Sequence, residues 1–77
     1  MTIDFTSLLS LEERREVLLK RISQLASQGY QHTLNKDAAN QNGRADLMAE
    51  ADQAMLEIET TIKVYQNQLN SLPPELR

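Results

Sequence analysis

The sequence predicts an all-α fold: a coiled-coil-like, antiparallel two-helix hairpin, completed to a helical bundle by association. Three observations carry this reading. Met48, Ala51, Met55, Ile58, Ile62, Tyr65, Leu69 and Leu72 recur at alternating steps of three and four without a slip, the spacing of a helix that lies against another helix. An earlier apolar stripe, Leu11, Leu18, Ile22 and Leu25, is flanked by Leu19 and Ala26. Between the two lies NKDAANQNG, residues 35–43, whose Asn, Asp and Gly favour local hydrogen bonds and left-handed backbone over helix.

Each element follows in order. Residues 1–9 carry Ile3, Phe5, Leu8 and Leu9 among short polar residues and read as an extended arm or a single turn. Helix 1 is expected over 10–34, opened by the capping box Ser10-Leu11-Glu12-Glu13: the Ser10 hydroxyl accepts from the backbone three residues on, and Glu13 reaches back. Arg15 stands where the stripe expects an apolar residue, and its aliphatic stem can cover the stripe while the guanidinium reaches water. Gly29-Tyr30 resembles a Schellman stop, with Tyr30 packing back on Leu25. The rival is a helix that runs through Gly29 at a cost of about 1 kcal/mol. The turn is placed at 35–43 and helix 2 over 44–71, ended by Pro73-Pro74, because a residue before proline avoids the helical region. Residues 72–77 form a tail, either a frayed helix stop or a short peptide ligand.

The charge pattern supports the antiparallel reading. Arg14, Arg15, Lys20 and Arg21 dominate residues 14–21, and residues 46–59 carry five acidic side chains and no basic one. Folding the chain at 35–43 is expected to set these segments side by side.

Composition bounds the function. Seventy-seven residues without cysteine make one domain with no disulfide and no thiolate metal site. A domain this small needs very good helix packing or a partner chain. A net charge of −3 argues against a phosphate-tracking surface. No apolar run reaches membrane-span length, and the N-terminus lacks a signal-peptide pattern. The expectation is a cytoplasmic protein. His32 is the only imidazole and reads as a polar residue near a turn. Asp46 and Glu50 share a helix face, but neither they nor Glu57 and Glu59 have the loop spacing of a calcium site. No phosphate loop or metalloprotease motif occurs. The reading is therefore non-enzymatic: no catalytic, cofactor or metal residues and no small-molecule substrate.

The candidate interface residues are Leu19, Met48, Met55, Leu56, Ile58, Ile62, Val64, Tyr65 and Leu69. Leu56 and Val64 lie off the 48–72 stripe and Leu19 widens the first one, so the apolar surface exceeds what two helices can cover. Met48 and Met55 are adaptable side chains suited to a groove or to core filling. Tyr65 is a seam aromatic with a polar tip.

Ile58-Glu59-Thr60-Thr61-Ile62-Lys63-Val64, with Gly43 ahead of the helix, resembles the second helix of the small helical-hairpin chaperones of type III secretion systems. The turn here is longer and richer in Asn than theirs. The resemblance implies a hairpin fold, a chaperone role, and Ile58, Ile62 and Tyr65 facing a co-chaperone. The residues themselves support a protein–protein interaction module that self-associates as a homodimer or binds a partner helix. The alternative is a small regulatory nucleic-acid-binding protein, of phage origin, resting on the Arg14–Arg21 cluster.

Overall fold

A computed structural model describes residues 2–73. Among these, three helices follow in order: α1 (Phe5–Leu8), α2 (Leu11–Gln41) and α3 (Ala45–Asn70). The two long helices pack against each other as an antiparallel hairpin. The molecule measures 50 × 33 × 14 Å. Its least dimension is little more than one helix diameter, so the hairpin is a single layer with two open faces.

The start of α2 matches the sequence reading. Glu13 N–H donates to the Ser10 hydroxyl at 3.0 Å, and Ser10 N–H donates to Glu13 Oε1 at 3.0 Å. Two helix-end donors are thus satisfied reciprocally. A similar device opens α1: Asp4 accepts from Thr6 N–H at 3.0 Å and from the Ser7 hydroxyl at 2.7 Å. Ser10→Ala is expected to cost about 1 kcal/mol, read as a melting temperature lower by roughly 4–8 °C.

The helix passes through Gly29, as the rival reading has it, and the extension beyond Leu34 through 35–41 to Gln41 corrects the expected turn. The turn is Asn42-Gly43-Arg44, not 35–43, and Tyr30 is 65% exposed rather than packed on Leu25. The Schellman geometry expected at Gly29 occurs at Gly43 instead. Gly43 has φ +65, Gly43 N–H donates to Asn40 O at 3.2 Å and Arg44 N–H donates to Ala39 O at 2.9 Å, the paired bonds of that motif. Packing explains the extension. Lys36 and Ala39 continue the inward row of α2. Ala39 is 4% exposed, and Lys36 Nζ pairs with Asp52 Oδ1 at 2.8 Å across the hairpin. These tertiary contacts overrule weak helix propensity in the Asn-rich segment.

The inward row of α2 reads Leu11, Arg14, Leu18, Ile22, Leu25, Gly29, His32, Lys36 and Ala39, all half-buried or buried. Arg14, not Arg15, therefore occupies the polar interruption. Its Nε is shielded from solvent and has no hydrogen-bond partner among the described residues. The inward row of α3 is the 48–72 stripe itself, with Ala54 and Thr61 beside it.

Three contacts fix the register. Gly29 approaches Ile58, Thr33 Oγ1 lies 3.3 Å from Met55 Sδ, and Lys36 pairs with Asp52. Level residues thus have numbers adding to 87 or 88. This places the basic 14–21 segment level with 66–73, which carries no charged residue. The acidic 46–59 segment lies level with 28–41 and meets Lys36 alone of the basic side chains on the inward row. The expected match of 14–21 with 46–59 does not occur. The antiparallel orientation follows from the three-residue connection, which allows no other.

The two glycines respond oppositely to substitution. A Cβ at Gly29 meets Ile58 Cγ2 at 3.7 Å, ordinary van der Waals contact, whereas Gly43 sits at φ +65. Gly29→Ala is expected to stabilise by about 1 kcal/mol through helix propensity. Gly43→Ala is expected to destabilise by about 1 kcal/mol through left-handed strain. Thermal melts of the two variants should move in opposite directions.

Candidate interaction surface

The open faces of the hairpin differ in chemistry. One groove between the helices is lined by Leu25, Ala26, Gly29, Thr33, Met55, Ile58, Glu59, Ile62, Lys63 and Gln66. Leu19 lies two turns before Ala26 on the same side of α2, and Tyr30 one turn after it. This is the apolar face, with Glu59 and Lys63 on its rim. Lys63 Nζ pairs with Glu59 Oε1 at 3.1 Å.

The opposite face is the more polar one, though Ala38, Leu47 and Ala54 also line its hollows. Gln28, His32, Glu57 and Thr61 line its middle. His32, Asn35, Asn42, Arg44 and Glu50 line a wider hollow by the turn. Arg44 there is engaged locally, its Nε and Nη2 donating to the Asp46 carboxylate at 3.1 and 2.9 Å. That ion pair raises the pKa of Arg44 and lowers that of Asp46. Glu13 is held below its ordinary value mainly by the Ser10 backbone N–H, and Asp4 by the Ser7 hydroxyl and Thr6 N–H. A carboxylate lowered on folding stabilises the fold above its unfolded pKa and loses that contribution as pH falls through the folded one. All three carboxylates therefore act in the same direction, favouring the fold at neutral pH and losing that contribution in acid.

The candidate interface residues divide into two sets. Met48, Met55, Ile58, Ile62, Tyr65 and Leu69 are half-buried in the seam against α2. The chain itself already uses them, and only their groove edges remain open. Leu19, Leu56 and Val64 are 40%, 56% and 51% exposed. Leu19 borders the apolar groove, while Leu56 and Val64 lie on the outer side of α3, more than a quarter turn from the seam on either side. Sequence reasoning missed Tyr30 as an open aromatic on the apolar face, since it was tied to a helix stop at Gly29. The small-residue steps Gly29 and Ala39, at seam spacing beyond Leu25, were the signal for a longer helix.

The basic side chains do not form one patch. Arg14 faces α3, Arg15 lies on the apolar-groove side, and Lys20 points outward. Among the described residues, no helix is long and apolar enough to cross a membrane. The tail's possible ligand role falls mainly on residues 74–77, outside the described residues. No protein-family model, curated protein or solved structure matches this chain.

Proposed function

We propose that this chain is a non-enzymatic protein–protein interaction module, a helical hairpin that gains its full core by associating with a second copy of itself. One observation carries the reading. Among the described residues, Ala39 and Ala51 are the only buried apolar ones, no large side chain is fully buried, and Leu19, Tyr30, Leu56 and Val64 stand at 40–65% exposure. A soluble monomer of this size stabilises itself by burying large apolar side chains, and a single helical layer has no second surface on which to do so. Two hairpins stacked face to face make a four-helix bundle, the simplest closed arrangement that supplies one.

A chaperone or adaptor role, as in the secretion-chaperone hairpins that residues 58–64 resemble, is the hetero-association form of the same reading, with a partner helix in place of the second copy. The absence of cysteine suits a reducing, cytoplasmic setting. Multi-angle light scattering on the full chain at micromolar concentration tests the proposal. A mass twice the 8.8 kDa of the chain is expected. A monomer that also captures no helical partner overturns it.

A further inference from the structure

We infer that the second copy docks on the apolar groove bearing Ala26 and does so end to end, with the two turns at opposite ends of the bundle. This inference rests on the self-association reading above and adds to it the face and the polarity. It starts from a palindrome of side chains along α2. Arg15 and Asp37 lie eleven residues to either side of Ala26, close to three full helical turns. They therefore project from the same side of the helix as Ala26, which lines the apolar groove.

A twofold axis crossing the hairpin at Ala26, perpendicular to the helices and parallel to the apolar face, stacks α2 on α2 of the second copy in opposite directions. Arg15 then meets Asp37 of the second copy, and Asp37 meets its Arg15. Ala26 meets its own equivalent, where a small side chain lets the helices approach.

The second helix supplies an independent check. The register puts Ala26 level with Thr61. Glu59 and Lys63 stand two residues to either side of that level, and both line the same groove. The same axis therefore brings Glu59 against Lys63 of the second copy, so that the 3.1 Å pair within each copy meets its equivalent in a four-charge cluster. Both helices are charge-complementary about one axis.

The other face-to-face arrangement, with both turns at the same end, fails this test. It stacks α2 on α3 of the second copy at the same level. Asp37 then faces Asp52, which the register places within two residues of the same level, and among the described residues neither Arg15 nor Lys63 gains an acidic partner. On the polar face, Gln28, His32, Glu57 and Thr61 interrupt the apolar Leu25, Ala54 and Ile58 of the groove. Charge pairing of this kind sets orientation and partner choice more than affinity, so the apolar strip supplies attraction and the palindrome supplies the polarity.

The chain has no native cysteine, so single-cysteine variants report geometry cleanly. Ala26→Cys should form a disulfide-linked dimer rapidly under mild oxidation, because residues on the axis approach their own equivalents. Gln24→Cys, at nearly the same level but turned toward the polar face, should not. Light scattering on the reduced proteins accompanies both. A non-covalent dimer in which Ala26→Cys fails to cross-link overturns the face and polarity while leaving self-association standing. A monomer overturns both.

A charge exchange provides the second readout. Arg15→Glu should weaken dimerisation roughly tenfold, since two symmetry-related pairs become repulsive. The double variant Arg15→Glu/Asp37→Arg should restore it. Equal weakening by the single and double variants overturns the pairing.

Discussion

Ile62→Asp is expected to unfold the hairpin near room temperature or to lower its melting temperature by more than about 10 °C. Ile62 sits in the middle of the α3 seam, half-buried against α2, and lines the apolar groove. Burying a side chain of this size contributes roughly 1.5–3 kcal/mol, and a carboxylate there must also be desolvated without a partner. Few alternatives are open to it: the neighbouring Lys63 is already paired with Glu59 at 3.1 Å. Glu57→Ala is the matched control, because Glu57 is exposed and makes only a 3.4 Å contact with Gln53 Nε2. Exposed substitutions of this type fall within about 0.5 kcal/mol. Equal melting shifts for the two variants would mean that the seam is misplaced on α3.

Ala51→Leu should give the second-largest loss. Ala51 is 5% exposed and lies level with Lys36, close to buried Ala39. Small side chains here set the close approach of the helices beside the turn. Three added carbons must push α3 away from α2 or force strained rotamers, at a cost of about 1–3 kcal/mol. The short Asn42-Gly43-Arg44 connection leaves little room to relax by spreading. Ala49→Leu, two residues earlier on the exposed side of α3, adds the same carbons without that cost. A melting temperature lower for Ala51→Leu and nearly unchanged for Ala49→Leu is the expected pair.

The parts of this fold that the sequence makes legible are those decided locally or by a long repeat. The Ser10 capping box needs only four residues, and it forms with both bonds at 3.0 Å. The 48–72 stripe is long enough that no other frame competes, and its residues all turn inward. The end of α2 was decided by tertiary packing instead. Gly29 looks locally like a stop, yet it serves as the point where α2 approaches Ile58. Asn35, Asn40 and Asn42 look like turn residues, but only Asn42 caps, its Nδ2 donating to Ala38 O at 2.9 Å. Asn42 ahead of Gly43 is a local turn signal that Gln28 ahead of Gly29 lacks, but it does not by itself carry the helix as far as Gln41. What extends the helix is that α3, which starts at Ala45 beside the turn, supplies a surface for residues 29–39.

That one displacement of the turn propagates. Moving it changes every cross-helix partner, which is why the basic and acidic segments that matched on paper lie apart along the hairpin. The candidate interface was legible in composition but not in location. An excess of apolar residues was visible from Leu19, Leu56 and Val64, whereas which groove is apolar depends on the rotation of two helices about a fixed register. Arg14 and Arg15 illustrate the sensitivity. A frame error of one residue exchanges a side chain facing α3 for one on the groove rim.

Completion of the hairpin by a second copy is tested most directly by thermal unfolding of the full chain across a hundredfold range of protein concentration. Association of the folded form alone stabilises it by mass action. The melting temperature is therefore expected to rise steadily with concentration, while Ile62→Asp shifts the transition down by more than about 10 °C or abolishes it. A cooperative transition whose midpoint stays constant across the whole range would contradict self-association and return the hairpin to a self-sufficient monomer.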